Sequence, residues 1–286
     1  MKARAFDYAR PHSLAEALQT FAETEGDAIY VAGGQSLVPA LALRLQAPDI
    51  LIDIGRLPEL QGLSVDATHL RIGAATRHSE ILSSALVRQH APLLVEAAAH
   101  VAHPAIRNRG TFAGSLALAD PAAEFPAMAL ALDADIEIAS LAGARRVAAE
   151  DFFIDLYETA LTPGEISVAV HVPIAQPGSR SAFDELARRR GDYAIVGLGV
   201  NGLFEDGIVR KMRLAFLSAG PTALRARTAE TILTGNRLDK NTIRAAQDVL
   251  EADLFPMEDE QVPASMRLHL ARVLLGRLLG RLEAMA

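Results

Sequence analysis

The sequence contains no cysteine. Disulfides, thiolate zinc centres, cysteine nucleophiles and any iron–sulfur cluster ligated by this chain are therefore excluded. If iron–sulfur clusters take part in its chemistry, another polypeptide supplies them. A basic surplus is also missing, since 28 Lys and Arg stand against 35 Asp and Glu, for a formal charge of −7. Nucleic-acid binders need a net basic face that displaces counterions from phosphates, so this balance argues against one. No uninterrupted apolar run reaches the length of a membrane span, and the opening Met1-Lys2-Ala3-Arg4-Ala5-Phe6-Asp7-Tyr8 has no apolar stretch of a signal peptide. A cytoplasmic protein with no transmembrane segment is the simplest expectation. Also missing are a Walker A motif and the Gly-x-Gly-x-x-Gly fingerprint that opens a Rossmann helix. Any dinucleotide bound here is bound by a different fold.

What is present describes a folded chain. Half of the 286 residues are hydrophobic and 22% are charged and well mixed. That is enough for one large core or two to three smaller ones. Ser13 reads as a helix cap, with Glu16 completing a capping box and Leu14, Ala17, Leu18 and Phe21 forming the apolar stripe. A strand-like run over residues 28–32 stops at Gly33 and Gly34. A second helix follows, with Ser36 as its cap and Pro39 in its first turn. Residues 49–54 read as a strand, 63–65 and 70–72 as a hairpin, 90–101 as a helix and 110–119 as small-residue loop or strand. Residues 127–138 pass from helix to strand, and 166–172 form an alternating strand closed by Pro173. The polar segment Gln176-Pro177-Gly178-Ser179 is the best boundary, dividing the chain into 1–177 and 178–286. Beyond it, residues 195–204 and 209–218 look like paired strands around Glu205-Asp206-Gly207. Helices are expected at 223–233, at 240–250 and from Ala264 onward. The pattern is α+β rather than regular βαβ winding.

Two loops carry the candidate chemistry. The first, Ala32-Gly33-Gly34-Gln35-Ser36-Leu37, joins a strand to a helix. Adjacent glycines reach positive φ and remove side-chain bulk, so successive backbone N–H groups can converge on an anion. A helix N-terminus behind them adds partial positive charge, and a diphosphate suits such a seat. Alone, a strand–Gly-Gly–helix junction is usually only a tight turn. The second loop, Gly110-Thr111-Phe112-Ala113-Gly114-Ser115, again combines small residues with hydroxyls and follows Arg107 and Arg109. Asp120-Pro121-Ala122-Ala123-Glu124 comes next. Asp120 reads as a helix cap, and Glu124 is within reach of a ligand held by the loop.

Taken together, these segments closely resemble the FAD-binding medium subunit of the molybdenum hydroxylases, a group that includes carbon monoxide dehydrogenase and the xanthine dehydrogenase flavin domain. The resemblance extends to Ser181-Ala182-Phe183, to Arg188-Arg189-Arg190-Gly191-Asp192-Tyr193-Ala194 and to Ser218-Ala219-Gly220-Pro221-Thr222. It covers nearly the whole chain in the family's order and spacing. It implies a two-lobed FAD-binding domain of the vanillyl-alcohol-oxidase-like (PCMH) type, with lobes over about 1–55 and 56–177, and a smaller C-terminal α/β domain. It implies that Ala32, Gly33, Gly34, Gln35 and Ser36, with Thr111, Phe112, Ala113, Gly114 and Ser115, hold the FAD diphosphate. Glu124 matches an acidic position that contacts the cofactor, and Val101 an apolar position beside it. Ile166 would approach the cofactor through its backbone, and Tyr193 matches an aromatic position next to the isoalloxazine. Ala113 stands where the family commonly has glycine. The Phe183-Asp184-Glu185 stretch lacks a lysine often found there, so any cationic help near the flavin would come from Arg188, Arg189 and Arg190, or be absent.

The resemblance also implies a division of labour. Hydroxylation occurs at a molybdopterin cofactor on a large partner subunit, and electrons pass through [2Fe-2S] clusters on a small partner subunit to FAD on this chain. The assembly would be a dimer of heterotrimers, and this chain would make no bonds to the substrate. The alternative is a self-sufficient FAD-dependent oxidase or reductase of the vanillyl-alcohol-oxidase-like fold, which would need its own substrate pocket and an acid–base residue over the flavin; the sequence advertises no such residue, leaving only Tyr193 or Glu124 open for it. A third reading is a scaffold that has lost its flavin, against which the intact loops speak. His100 and His103 are spaced to face one metal but lack supporting ligands, so an ordinary helix end is the better reading. His78 and His171 carry no assigned role.

Overall fold

A computed structural model describes residues 2–259 and 262–285. Strands Asp7–Ala9, Ile50–Asp53 and Ala28–Val31 form a parallel three-stranded sheet with Ile50–Asp53 in the middle. A five-stranded antiparallel sheet runs in the order Leu63–Val65, His69–Gly73, Ile166–Pro173, Asp135–Ser140, Gly143–Ala148. Its central strand Ile166–Pro173 is buried along almost its whole length and bulges between Ser167 and Ala169. A four-stranded antiparallel sheet follows, in the order Ser179–Leu186, Val196–Glu205, Ile208–Leu217, Leu224–Arg225. The mixture is the α+β arrangement expected.

Both faces of the four-stranded sheet are covered. Helix Ala264–Glu283 lies on one, burying Leu274, Leu275, Leu278, Leu279 and Leu282 with Val196, Leu198, Val200 and Leu214. Helices Pro92–His100 and Glu124–Ala131 cover the other and belong to the larger core, where Phe112, Phe125, Ile72, Ile136 and Val170 meet. Each fully buried Leu or Phe contributes about 2 kcal/mol relative to exposure. The helices shared between the cores fix the C-terminal sheet against the layer that carries the loops. Arg213 adds a polar tie across the same boundary, donating to the Asp133 carboxylate at 2.8 Å.

Local signals behave as physics dictates, with some corrections. Ser13 Oγ accepts from the Glu16 N–H at 3.1 Å, but Glu16 reaches back to the N–H of His12 rather than that of Ser13. Asp206 and Gly207 both take positive φ, 52° and 75°, and close the hairpin between Val196–Glu205 and Ile208–Leu217. Ser36 precedes helix Leu37–Ala42 but is itself in right-handed helical conformation and makes no capping bond. The helix expected over 90–101 is Pro92–His100, because Ala91 interrupts the chain after Ala85–His90. Residues 110–119, expected as loop or strand, contain helix Phe112–Leu118. Thr111 Oγ1 caps it by accepting from Gly114 N–H at 3.2 Å, and Ala119 ends it at φ 52°. Asp120 does not cap the next helix: Ala123 occupies that position before Glu124–Ala131, and Asp120 Oδ1 instead accepts from Ala122 N–H at 2.9 Å. The helix expected over 223–233 begins only at Arg227, after the short strand Leu224–Arg225.

Candidate functional site

The two loops meet. A Cβ on Gly33 would sit 2.5 Å from the Arg109 carbonyl oxygen and 2.8 Å from Gly110 Cα, so only glycine lets the first loop lie against the second. Gly34 has φ +69°, a conformation that L side chains rarely adopt. The bond pattern then separates the two loops. Among the described residues, the backbone N–H groups of Gly33, Gly34, Gln35 and Ser36 donate to nothing in the protein. Backbone donors left unpaired in succession are rare, and a row of them is a seat for an anion. In the second loop the donors are already used. Phe112 N–H donates to Thr76 O at 2.9 Å, Ala113 N–H to Ala74 O at 3.3 Å and Ser115 N–H to Thr111 O at 3.1 Å. What it still offers is the Ser115 hydroxyl, the O–H of Thr111, whose oxygen already accepts from Gly114 N–H, and the bare surface of Gly114.

Both loops line one cavity of about 560 Å³. That lies within the range of small-molecule and cofactor sites. Ala32, Gly33, Gly34, Gln35, Ser36, Val101, Thr111, Ala113, Gly114, Ser115, Glu124, Ile166 and Tyr193 all contribute to its wall. Phe112 does not: its ring is fully buried, edge-on to Phe125 at 4.9 Å, so its part is to seat the loop on the core. The Cβ of Ala113, a departure from the family pattern, is accommodated within the same core. Leu60, Ala74, Ala75 and Leu161 give the cavity apolar faces, and among the described residues no Lys or Arg side chain lines it. Arg189 and Arg190 instead line a neighbouring pocket of about 310 Å³ with His100 and Glu185.

Several side chains are held in unusual electrostatic states. Burial pushes the Glu124 carboxyl up to about 8; its own backbone N–H opposes this, and Glu185 adds to it. Burial also raises the carboxyl of Asp120. The Tyr193 phenol is raised, first by burial and then by the Asp120 and Glu124 carboxylates, although 75% of the residue is exposed at the cavity rim.

Some supporting residues carry no signal in the sequence. His78 lies under the second loop with Nε2 2.9 Å from Thr111 O, and burial drives its ring down to about 4, so it is neutral at physiological pH. Arg107 donates to the carbonyls of Val101 and Ala102 at 2.8 and 2.9 Å, fixing the backbone at the cavity wall. Ser167, beside Ile166, points a buried hydroxyl that has no protein partner and lines the cavity. His100 and His103 do not converge. His100 Nδ1 lies 3.5 Å from Glu185 Oε1, which raises the imidazole, whereas the His103 ring abuts Gly191. Among the described residues no group of side chains suits a metal ion.

Fold and site thus define an α+β protein with a mostly apolar cavity bounded by a row of unpaired backbone donors. Two family models match the chain: the FAD binding domain in molybdopterin dehydrogenase over residues 4–175 and the CO dehydrogenase flavoprotein C-terminal domain over residues 181–282. The chain belongs to this family, the FAD-carrying medium subunits of molybdenum hydroxylases, and is an oxidoreductase subunit, as its motifs implied. It is 41% identical over 282 residues to the 6-hydroxypseudooxynicotine dehydrogenase complex subunit alpha of Paenarthrobacter nicotinovorans, covering 98% of this chain and 95% of that one. The solved carbon monoxide dehydrogenase from Hydrogenophaga pseudoflava superposes with a TM-score of 0.96 at 37% identity, over 99% of both chains. Quinoline 2-oxidoreductase from Pseudomonas putida 86 does so with a TM-score of 0.94 at 39% identity, over 100% of this chain and 99% of the other.

Proposed function

We propose that the cavity holds FAD with its diphosphate on the N–H groups of Gly33, Gly34, Gln35 and Ser36. The carrying observation is that row of unpaired donors at the wall of a cavity without cationic side chains. The Thr111 and Ser115 hydroxyls supplement it, Val101 and Ile166 supply apolar wall, and Tyr193 covers the ring at the rim. Glu124 stays protonated near neutral pH and donates its O–H rather than adding charge beside an anion. When bound, the flavin exchanges electrons singly or in pairs and so links one-electron clusters to an external acceptor.

On this reading residues 1–177 form the cofactor domain, in two lobes over about 1–55 and 56–177, and 178–286 its C-terminal companion. The chain works in the cytoplasm beside a large molybdopterin subunit and a small [2Fe-2S] subunit, as a dimer of heterotrimers. The absence of cysteine supports the placement of the clusters elsewhere. Among the described residues no helix is long and apolar enough to cross a membrane.

The test is to reconstitute the purified full chain with FAD, record its visible spectrum, and assay reduction of the flavin by substrate with and without co-expressed partners. The expected result is a yellow chain that substrate reduces only in the assembled complex. A chain that takes up no flavin contradicts the site, and one that turns over substrate alone supports a self-sufficient oxidase.

A further inference from the structure

Residues 187–195 join strands Ser179–Leu186 and Val196–Glu205 and carry three arginines in a row. Arg188, Arg189 and Arg190 are exposed, and among the described residues none of their guanidinium groups makes a hydrogen bond or an ion pair. Elsewhere this chain, with its formal charge of −7, gives arginines carboxylates: Arg213 holds Asp133, Arg225 holds Glu230 and Arg281 holds Glu96. Like charges left side by side repel, and a charge run on an acidic protein is ordinarily a solvated face. Two features set this run apart.

The first is its position. Gly191, at φ +86°, turns the run against the wall of the cofactor cavity: a Cβ there would lie 3.1 Å from the Ala102 carbonyl oxygen and closer still to the His103 ring. Gly191 and Ala102 both line that cavity. The second is the chemistry behind the run. Arg189, Arg190 and Gly191 also line the neighbouring pocket of about 310 Å³, together with His100 and Glu185. The Glu185 side chain is only 6% exposed. Its Oε1 lies 3.5 Å from His100 Nδ1, which favours the protonated imidazole, while its buried Oε2 accepts from no group among the described residues. A buried carboxylate oxygen without a donor is costly. The pocket therefore joins unpaired cations to one unpaired acceptor.

A bare dianion would satisfy the arginines but leave Glu185 facing a second anion. An anion that carries its own O–H satisfies both, with negative oxygens for the guanidinium forks and a proton for the carboxylate. Hydrogen phosphate and phosphate monoesters combine those groups near neutral pH. We propose that this pocket binds a phosphate monoester or free hydrogen phosphate, held by Arg189, Arg190 and His100 and donating its P–OH to Glu185 Oε2. The ligand is separated from the cofactor cavity by Gly191, which lines both. The site stands independently of what that cavity holds.

The test is calorimetric titration of the FAD-loaded full chain at constant ionic strength and about pH 6, near the second pKa of a phosphate monoester. The probes are inorganic phosphate, methyl phosphate and sulfate, which has the shape of phosphate but no proton to donate. Phosphate or methyl phosphate should bind saturably at a single site, and sulfate at least about tenfold more weakly, on the order of one charge-assisted hydrogen bond. Tighter binding of methyl phosphate marks an ester as the ligand, and tighter binding of inorganic phosphate marks the free ion. Arg189→Ala/Arg190→Ala should weaken phosphate binding at least about tenfold with the melting temperature unchanged, since both side chains are exposed. Glu185→Gln, whose amide donates to either ion, should abolish the preference for phosphate over sulfate. Absence of saturable binding, equal affinity for sulfate and phosphate in the wild-type chain, or unchanged affinity in the double arginine variant overturns the proposal and leaves the run a solvated face. FAD fills the other anion seat during the titration. A chain that takes up no FAD contradicts the cavity reading instead, and the arginine variants still decide this one.

Discussion

At Gly33 the difference between glycine and any other residue is set by backbone atoms. The obstructing Arg109 carbonyl and Gly110 Cα cannot swing aside as a flexible side chain would. Gly33→Val should therefore part the two loops and weaken FAD binding by about a hundredfold or more, measured by flavin titration of the refolded variant. Binding at wild-type affinity would show that the loops do not need that contact. Glu124 gives a pH-dependent counterpart. Its folded pKa, about 8, lies above its ordinary value of 4.5. Between those values the folded chain holds a proton that the unfolded chain has released, so stability falls as pH rises through that window and levels off above it. Glu124→Gln removes this dependence. In the flavin-free chain its melting temperature should match wild type near pH 4.5 and exceed it by several degrees at pH 8, by calorimetry. A constant difference across the range would mean that Glu124 does not titrate as its burial requires.

The elements show why the two loops, so alike in composition, differ in hydrogen bonding. Residues 33–36 leave a strand and turn outward without meeting a carbonyl, whereas Phe112 and Ala113 spend their N–H groups on Thr76 and Ala74, whose positions only the tertiary fold determines. No local pattern announces that difference. The sequence did announce the Ser13-capped helix and the Asp206-Gly207 hairpin, because each rests on bonds within a few residues. Helix Phe112–Leu118 was not legible, since Gly114 and Ser115 near its start weaken helix propensity over a seven-residue run, and its formation follows from burying Phe112, Ala113 and Leu116. The same holds for strand Gly143–Ala148, an exposed edge with Arg145 and Arg146 and no alternation. A seat made of backbone dipoles, with no Lys or Arg in the cavity wall, has a further consequence. FAD binding should release few counterions, so its dissociation constant should change less than about threefold when salt rises through the range over which exposed charge pairs are screened. A steep salt dependence, measured by the same titration, would locate the diphosphate beside the surface arginines instead.

Across the whole molecule, the family motifs made the cofactor legible, but the path from core to site was not. Helices Pro92–His100 and Glu124–Ala131 belong to one core and cover the sheet of the other, so the rim residues Gly191, Asp192 and Tyr193 are held over a cavity built mainly by the first 170 or so residues. On the proposed function, substrate choice lies outside this chain, and what the chain supplies is a flavin held in fixed relation to its surface. The most direct test of that account is an amide NMR titration of the flavin-free chain with FAD. The N–H resonances of Gly33, Gly34, Gln35 and Ser36 should move downfield together as they gain phosphate acceptors, while those of Phe112 and Ala113, already bonded, stay near their positions. Static resonances at 33–36 under saturating FAD would contradict the account.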